Sequence, residues 1–116
     1  MQITFYHNPR CSKSRAVDAI LTARQSDATV VEYLKHPFSA DTLREIIAAL
    51  DVPAAGLIRT KDEEFRKSGI DPTALDDDTV IAILLRSPAL LQRPVVVVDQ
   101  QARICRPPER VLELLQ

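Results

Sequence analysis

The sequence predicts an α/β fold with a mixed four-stranded sheet, and three observations support this prediction. An apolar strand pattern at residues 3–6 precedes helical spacing and then a second β-rich run, which together indicate a βαβ unit. The middle of the chain carries only helical patterns. A continuous β-branched run at residues 95–98 then opens a hairpin. The predicted order is βαβ, a helical insert, and ββα.

The amino-terminal unit begins with a short buried strand at residues 3–6. Ala16 and Ile20 belong to a helical spacing of apolar residues, which predicts a helix over about 12–25. Residues 29–34 are rich in β-branched and aromatic side chains and predict the second strand. Because a helix connects the two strands, we expect them to be parallel in a right-handed unit.

Several short helices are expected in the insert, at about residues 39–90. Ser39 is a good N-cap for a helix with apolar residues at i, i+3, i+4 and i+7. Pro53 can open a second helix, and residues 63–67 form a third. Asp76 is expected to cap a fourth helix.

The carboxyl-terminal third returns to β structure. Residues 94–98 predict a buried strand, 99–101 a turn, and 102–106 a partner strand. Pro107 and Pro108 then start a last helix, because proline is tolerated in the first helical turn. A parallel βαβ unit followed by an antiparallel hairpin and a closing helix is the thioredoxin-like arrangement.

Size and composition narrow the functional classes. With 116 residues, 46% of them hydrophobic, the chain can bury one core, so we expect a single domain over residues 1–116. Without a membrane-length apolar run or a secretion signal, we expect a cytoplasmic protein. We also expect it to be a monomer. The net charge of −1 provides no general attraction to nucleic acid or to an acidic membrane. Two cysteines do not make a disulfide framework, and we expect both to be reduced.

Cys11 lies where the first strand gives way to the first helix. Backbone N–H groups and the positive end of a helix favour a thiolate over a thiol. The cationic side chains around it are those of His7, Arg10, Lys13 and Arg15. A small buried hydrophobe is the alternative reading of such a cysteine, and the cationic setting favours reactivity. Because Ser14 stands where a C-x-x-C pair would have its second cysteine, a monothiol reaction is predicted.

Cys105 is the other internal thiol. We expect it to be a strand residue packed beside the site rather than a resolving thiol, because nothing in the sequence provides the geometry that a disulfide requires. The partner thiol for Cys11 should therefore come from another molecule.

Three arginines are candidates for binding an oxyanion. Arg93 precedes Pro94, where thioredoxin-like folds commonly have a cis proline opposite the reactive cysteine. Arg106 ends the hairpin strand and could reach back over the same loop, and Arg59 lies in the helical insert. Each alone could be a surface charge. Together they suggest an oxyanion clamp, because the planar guanidinium suits bidentate oxyanion binding.

The sequence resembles the glutaredoxin-coupled arsenate reductases of the thioredoxin-like superfamily. The resemblance spans essentially the whole chain, and the length is similar to that of the shorter, housekeeping-type members. The matching motifs are His7-Asn8-Pro9-x-Cys11-x-x-Ser14-Arg15, Leu57-Ile58-Arg59, Gln92-Arg93-Pro94-Val95-Val96 and Arg103-Ile104-Cys105-Arg106-Pro107. One departure is Ser12-Lys13, which replaces the Gly-Thr pair of the resistance enzymes and adds bulk and charge to the loop.

The resemblance implies a reaction and a role for each site residue. Cys11 would be the nucleophile that forms a covalent adduct with arsenate, and His7 would help to activate it. The implied substrate-binding residues are Arg59, Arg93, Arg106, Ser14 and Arg15. Glutathione as co-substrate and glutaredoxin as protein partner would complete the reduction of arsenate to arsenite, a step in arsenical resistance. No metal, flavin or nucleotide would be bound.

Two other functions remain open. The fold and the Arg-Pro motif are similar to those of Spx-like regulators, which bind RNA polymerase and sense oxidation through a C-x-x-C pair. Ser14 removes that switch. A generic glutathione-dependent thiol-transfer enzyme is the other alternative, acting on glutathionylated proteins rather than on an oxyanion.

Overall fold

A computed structural model describes residues 1–115 as a mixed sheet with helices on both faces. The strands are β1 (Ile3–His7), β2 (Ala28–Glu32), β3 (Val95–Val98) and β4 (Gln101–Ile104). The α-helices are α1 (Ser12–Ala23), α2 (Ala40–Ala49), α3 (Glu63–Lys67) and α4 (Asp77–Arg86), and 3₁₀ helices cover Ala54–Leu57, Pro88–Leu90 and Pro108–Glu113. Within residues 1–115, no helix has the length and apolar character needed to span a membrane.

The strand order is β2-β1-β3-β4. Strands β1 and β2 are parallel, with His7 opposite Glu32, whereas β3 is antiparallel to β1, with Tyr6 opposite Val95. The carboxyl ends of β1 and β2 therefore share one edge with the amino end of β3. The thioredoxin-like α/β prediction, with its βαβ, helical insert and ββα order, is confirmed.

Several boundaries differ from the sequence prediction. Helix α1 ends at Ala23 because Gln25 adopts a left-handed backbone conformation, with φ 55°. The hairpin turn contains only two residues, since Val98 pairs with Gln101, and Asp99 has φ 54°. Positive φ values are what tight two-residue hairpin turns require.

Strand β2 and the last helix also differ from the prediction. Strand β2 ends at Glu32, so Tyr33 lies in the following turn. The carboxyl-terminal helix is 3₁₀ rather than α, with i+3 to i bonds such as that from the Arg110 N–H to the Pro107 carbonyl, at 3.1 Å. The pair of prolines that opens this short segment supplies no backbone N–H donors.

The sheet separates two hydrophobic clusters. Alternation along β1 directs Tyr6 to the cluster formed with the helical insert and Phe5 to the cluster formed with α1. Leu84 of α4 is fully buried in the first cluster, and Val111 of the last 3₁₀ helix is fully buried in the second. Because both faces of the sheet are covered, we expect a functional site in the loops at the ends of the strands.

The helical insert is attached to the segment that leads into β3. Ile58 and Leu91 form an isolated antiparallel bridge. The Arg59 N–H donates to the Leu90 carbonyl at 2.9 Å, and the Gln92 N–H donates to the Leu57 carbonyl at 2.6 Å. This pairing brings Arg59 beside the residues that precede β3.

Substitution of two neighbouring leucines of α4 tests how the helical insert packs on the sheet. Leu84 is fully buried, whereas Leu85 is 44% exposed. We expect Leu84→Ala to lower the free energy of unfolding by roughly 2–5 kcal/mol, because it leaves a cavity in the core. Leu85→Ala should change the same quantity by no more than about 0.5 kcal/mol. Denaturant titration measures both values, and equal losses would contradict the described packing.

Candidate functional site

Cys11 is the N-cap of α1. Its backbone is extended, with φ −93° and ψ 123°, and the helix begins at the next residue. The Cys11 N–H donates to the Asn8 carbonyl at 3.0 Å, and the Cys11 carbonyl accepts from the Arg15 N–H at 2.9 Å. These bonds fix the loop on both sides of Cys11, a residue that is 8% exposed.

Opposing effects act on the Cys11 thiol. Burial by itself raises the pKa of Cys11, but hydrogen bonds from the Ser14 N–H, the Arg93 side chain and the Lys13 N–H lower it. The positive charge of Arg93 lowers it further. The net effect places the pKa of Cys11 below its ordinary value, so the loop stabilises the thiolate.

The His7 side chain is hydrogen-bonded to the Ser14 hydroxyl. Its Nδ1 is 2.6 Å from the Ser14 Oγ, which also accepts a hydrogen bond from the Asn8 N–H at 3.0 Å. Burial lowers the pKa of His7 and outweighs the opposing charges of nearby carboxylates, so the imidazole is neutral at neutral pH. Because the Ser14 N–H faces the Cys11 sulfur, the path from His7 to the thiol passes through Ser14.

Arg93 is the arginine that lies against the thiol. It precedes β3 through a cis peptide bond to Pro94. Its Nε is buried and has no hydrogen-bond partner in the described part of the chain. Arg106 folds back over it and donates from Nη1 to the Arg93 carbonyl at 2.8 Å. The residues that flank the β3–β4 hairpin, Arg93 and Arg106, are therefore bonded to each other, and Arg93 acts on Cys11.

Arg59 joins this group from the helical insert. Its Nη1 is 3.1 Å from Oδ2 of Asp62, which orients the guanidinium. Arg59, Gln92 and Arg106 line the same open cavity of about 330 Å³. A larger cavity of about 600 Å³ lies by Glu45 of α2, away from the cysteine, so cavity size does not mark the reactive centre.

The other two predicted substrate-binding residues of the loop, Ser14 and Arg15, differ in burial. Ser14 is completely buried, and its hydroxyl is occupied by His7 and Asn8, so its backbone N–H is the group that faces the sulfur. Arg15 is exposed, and its Nη1 donates to the Pro9 carbonyl at 3.0 Å. The Arg15 side chain thus braces the loop from outside.

Cys105 lies directly after β4 in the second hydrophobic cluster. It has no exposed surface, and burial raises its pKa to about 12. Neither cysteine forms a disulfide. Cys105 therefore lacks the thiolate character that a resolving thiol needs.

Two residues near the thiol were missed as candidates by sequence reasoning. Tyr33 is completely buried, and Arg93, Cys11 and Arg59 all act on its pKa, which burial raises. Asn8 lies between the cysteine loop and this tyrosine. The available signal for Tyr33 was its place just beyond a strand parallel to β1, because loops at the carboxyl ends of parallel strands gather at one edge.

The polar groups at this edge suit an anion rather than a metal ion. Within residues 1–115, no group of three or more His, Cys, Asp and Glu side chains is arranged to hold a metal. Arg93 instead provides a cationic donor to a thiol whose pKa is lowered. Arg106 is bonded to Arg93 and shares a cavity with Arg59, which adds two further cationic side chains. Such an arrangement can hold an oxyanion while the thiolate attacks it.

Comparisons with known proteins identify the family of this chain. The ArsC family model matches residues 6–114. The chain belongs to the ArsC family. An arsenate reductase of Neisseria meningitidis serogroup A is 38% identical over 115 residues, which cover 98% of each chain. The Escherichia coli K12 protein YfgD, described as uncharacterized, is also 38% identical, over 98% of this chain and 97% of its own length.

Solved structures extend the comparison to the fold of this ArsC family member. An arsenate reductase from Vibrio cholerae superposes with a TM-score of 0.91 at 36% identity, covering 98% of both chains. The family and fold expected from the sequence motifs are therefore confirmed.

The thiolate character of Cys11 can be measured by alkylation at different pH values. Because the loop lowers the pKa of Cys11, the alkylation rate should reach half its maximum below the free-thiol value of about 8.5. Arg93→Ala should move the midpoint upward, since it removes a hydrogen bond and a positive charge from the thiolate. Arg44→Ala, which removes an exposed arginine of α2, should leave the midpoint unchanged. Mass spectrometry should find Cys105 unmodified. A wild-type midpoint at or above that of a free thiol would show that the loop does not lower the pKa of Cys11.

Proposed function

We propose that this protein reduces arsenate to arsenite, with Cys11 as the nucleophile and with glutathione and glutaredoxin as the source of electrons. The observation that carries the proposal is a thiol with a lowered pKa, held against Arg93. Arg106 bonds to the Arg93 carbonyl and shares a cavity with Arg59, so two further arginines lie next to this pair. The arsenate reductases among the chain's relatives support the same substrate.

The first step joins sulfur to arsenic. The Cys11 thiolate attacks the arsenic atom of bound arsenate, an S–As bond forms, and one As–O bond breaks. The departing oxygen takes up a proton from solvent and leaves as water or hydroxide. The lowered pKa of Cys11 increases the fraction of reactive thiolate, and the N–H donors hold the sulfur in place until attack.

The second step transfers the electrons. A glutathione thiolate bonds to the Cys11 sulfur, the S–As bond breaks, and its electron pair passes to arsenic, which leaves as arsenite. The two sulfurs lose two electrons as their disulfide forms, and As(V) gains them to become As(III). Glutaredoxin then reduces the mixed disulfide. Cys105 takes no part, because it is fully buried and its pKa is raised to about 12.

The arginines stabilise the charge on the bound oxyanion. Arg93 lies against the reacting sulfur. Arg106 is held against Arg93 by its hydrogen bond to the Arg93 carbonyl. Arg59 faces the shared cavity with its guanidinium oriented by Asp62. Donors that are fixed before the reaction stabilise developing charge without having to reorganise.

His7 and Ser14 position the loop. The neutral imidazole and the Asn8 N–H both bond to the Ser14 hydroxyl, which holds the Ser14 N–H on the sulfur. His7 thereby activates Cys11 indirectly, through the orientation of a backbone donor. The exposed Arg15 side chain supports the loop through the Pro9 carbonyl.

A coupled assay tests the proposed reaction. Arsenite formation from arsenate should require both glutathione and glutaredoxin, and Cys11→Ser should abolish it because no nucleophile remains. Cys105→Ala is the matched control and should retain most of the activity, because Cys105 is buried away from solvent. Arsenite formation by Cys11→Ser would contradict the mechanism. Reduction of a glutathione mixed disulfide without any arsenate reduction would instead identify a thiol-transfer enzyme.

The role of Arg106 in substrate binding can be tested in the same assay. Arg106→Ala should raise the arsenate concentration for half-maximal rate by about tenfold or more, because a hydrogen bond to a charged group is lost. Arg24→Ala, an exposed arginine at the other end of α1, should leave that concentration unchanged. An unchanged value in Arg106→Ala would remove Arg106 from the site.

A further inference from the structure

Two buried donors beside Cys11 have no acceptor. The Tyr33 hydroxyl and the Arg93 Nε are buried without a hydrogen-bond partner in the part of the chain that the structure describes. Buried polar groups are nearly always paired, so an unpaired one calls for an explanation. Both atoms belong to residues that interact with the Cys11 thiol, and Arg93 also acts on the pKa of Tyr33. They are therefore parts of one site.

The fold fixes the Tyr33 ring. Tyr33 directly follows β2, at the edge where Cys11 follows β1. The ring has no exposed surface and stacks on Phe38 with centroids 5.6 Å apart and an interplanar angle of 20°. Because packing holds the ring, its hydroxyl cannot turn away to find a partner in solvent.

The surroundings of the hydroxyl supply donors and positive charge. The Asn8 Oδ1 accepts a hydrogen bond from the Arg10 N–H at 3.0 Å, which leaves the amide nitrogen of Asn8 as the group available towards Tyr33. The contact between Asn8 and the Tyr33 hydroxyl falls short of hydrogen-bond geometry. Burial raises the pKa of Tyr33, so the hydroxyl keeps its proton at neutral pH and acts as a donor. An acceptor is the complementary group for this cluster.

We propose that the Tyr33 hydroxyl and the Arg93 Nε donate hydrogen bonds to one tetrahedral oxyanion bound at Cys11. This assignment rests on the proposed arsenate chemistry and adds a binding residue to it. Tyr33 keeps its proton throughout, so its hydroxyl stabilises negative charge on an oxygen of the bound anion without transferring the proton. The uncharged Tyr33 hydroxyl and the charged Arg93 Nε are two donors of fixed direction, so together they favour an anion with more than one acceptor oxygen.

Protection of Cys11 from alkylation tests this inference without relying on turnover. Arsenate is added without glutathione, and the concentration that halves the rate of iodoacetamide modification at Cys11 is measured for the wild type and for Tyr33→Phe. We expect this concentration to rise by about ten- to a hundredfold in Tyr33→Phe, as for a lost hydrogen bond to a charged group. The alkylation rate without arsenate should remain close to that of the wild type.

Tyr6→Phe provides the matched control. It removes the hydroxyl of the chain's other tyrosine, which faces the cavity beside Glu45, and should leave protection by arsenate unchanged. Thermal unfolding of the free protein should show Tyr33→Phe to be at least as stable as the wild type, because the hydroxyl that it loses is buried without a partner.

The possible outcomes separate this proposal from the function on which it rests. Arsenate that fails to protect even the wild type would overturn the proposed arsenate site, and the role of Tyr33 with it. Protection that is equal in the wild type and in Tyr33→Phe would overturn only the role of Tyr33. Lower stability of Tyr33→Phe together with unchanged protection would identify a purely structural tyrosine and would also overturn the proposal.

Discussion

The chemistry of this protein depends on a balance between burial and hydrogen bonding at Cys11. Burial alone would favour the neutral thiol, because a charged sulfur loses its hydration. The N–H groups of Lys13 and Ser14, together with Arg93, replace the lost water and reverse the sign of the effect. Cys105 shows the other outcome in the same chain, because without such donors burial raises its pKa to about 12. The difference between the two cysteines lies in what faces the sulfur.

The sheet topology brings the components of this balance together. The cysteine loop follows β1, Tyr33 follows β2, and Arg93 precedes β3, so three distant parts of the sequence meet at one edge. The helical insert adds Arg59 through its pairing with the segment before β3. Hydrogen bonds within the loop then fix the direction of each donor. A site of this kind depends on register, because a one-residue shift between strands would turn side chains to the opposite face.

Local signals explain why much of this fold could be predicted from sequence. Ser39 and Asp76 cap their helices as expected, because their side chains accept from backbone N–H groups three residues later. Motif positions also pointed to Cys11 and to the three arginines. The sequence could not show that the Ser14 hydroxyl turns towards His7, nor that Arg59 pairs with Asp62, because both depend on side-chain directions in the folded chain. Tyr33 was interpreted as an ordinary strand residue, because its place beside Cys11 follows from strand pairing rather than from nearby sequence.

The most direct test of this account is a crystal structure of Cys11→Ser with arsenate bound. The substitution removes the nucleophile but keeps the loop, so the substrate can be trapped before reaction. The account predicts an arsenate ion at the start of α1, with oxygen atoms about 3 Å from the Arg93 Nε and the Tyr33 hydroxyl. An arsenate ion bound elsewhere on the protein, or a loop that remains empty at saturating arsenate, would contradict it.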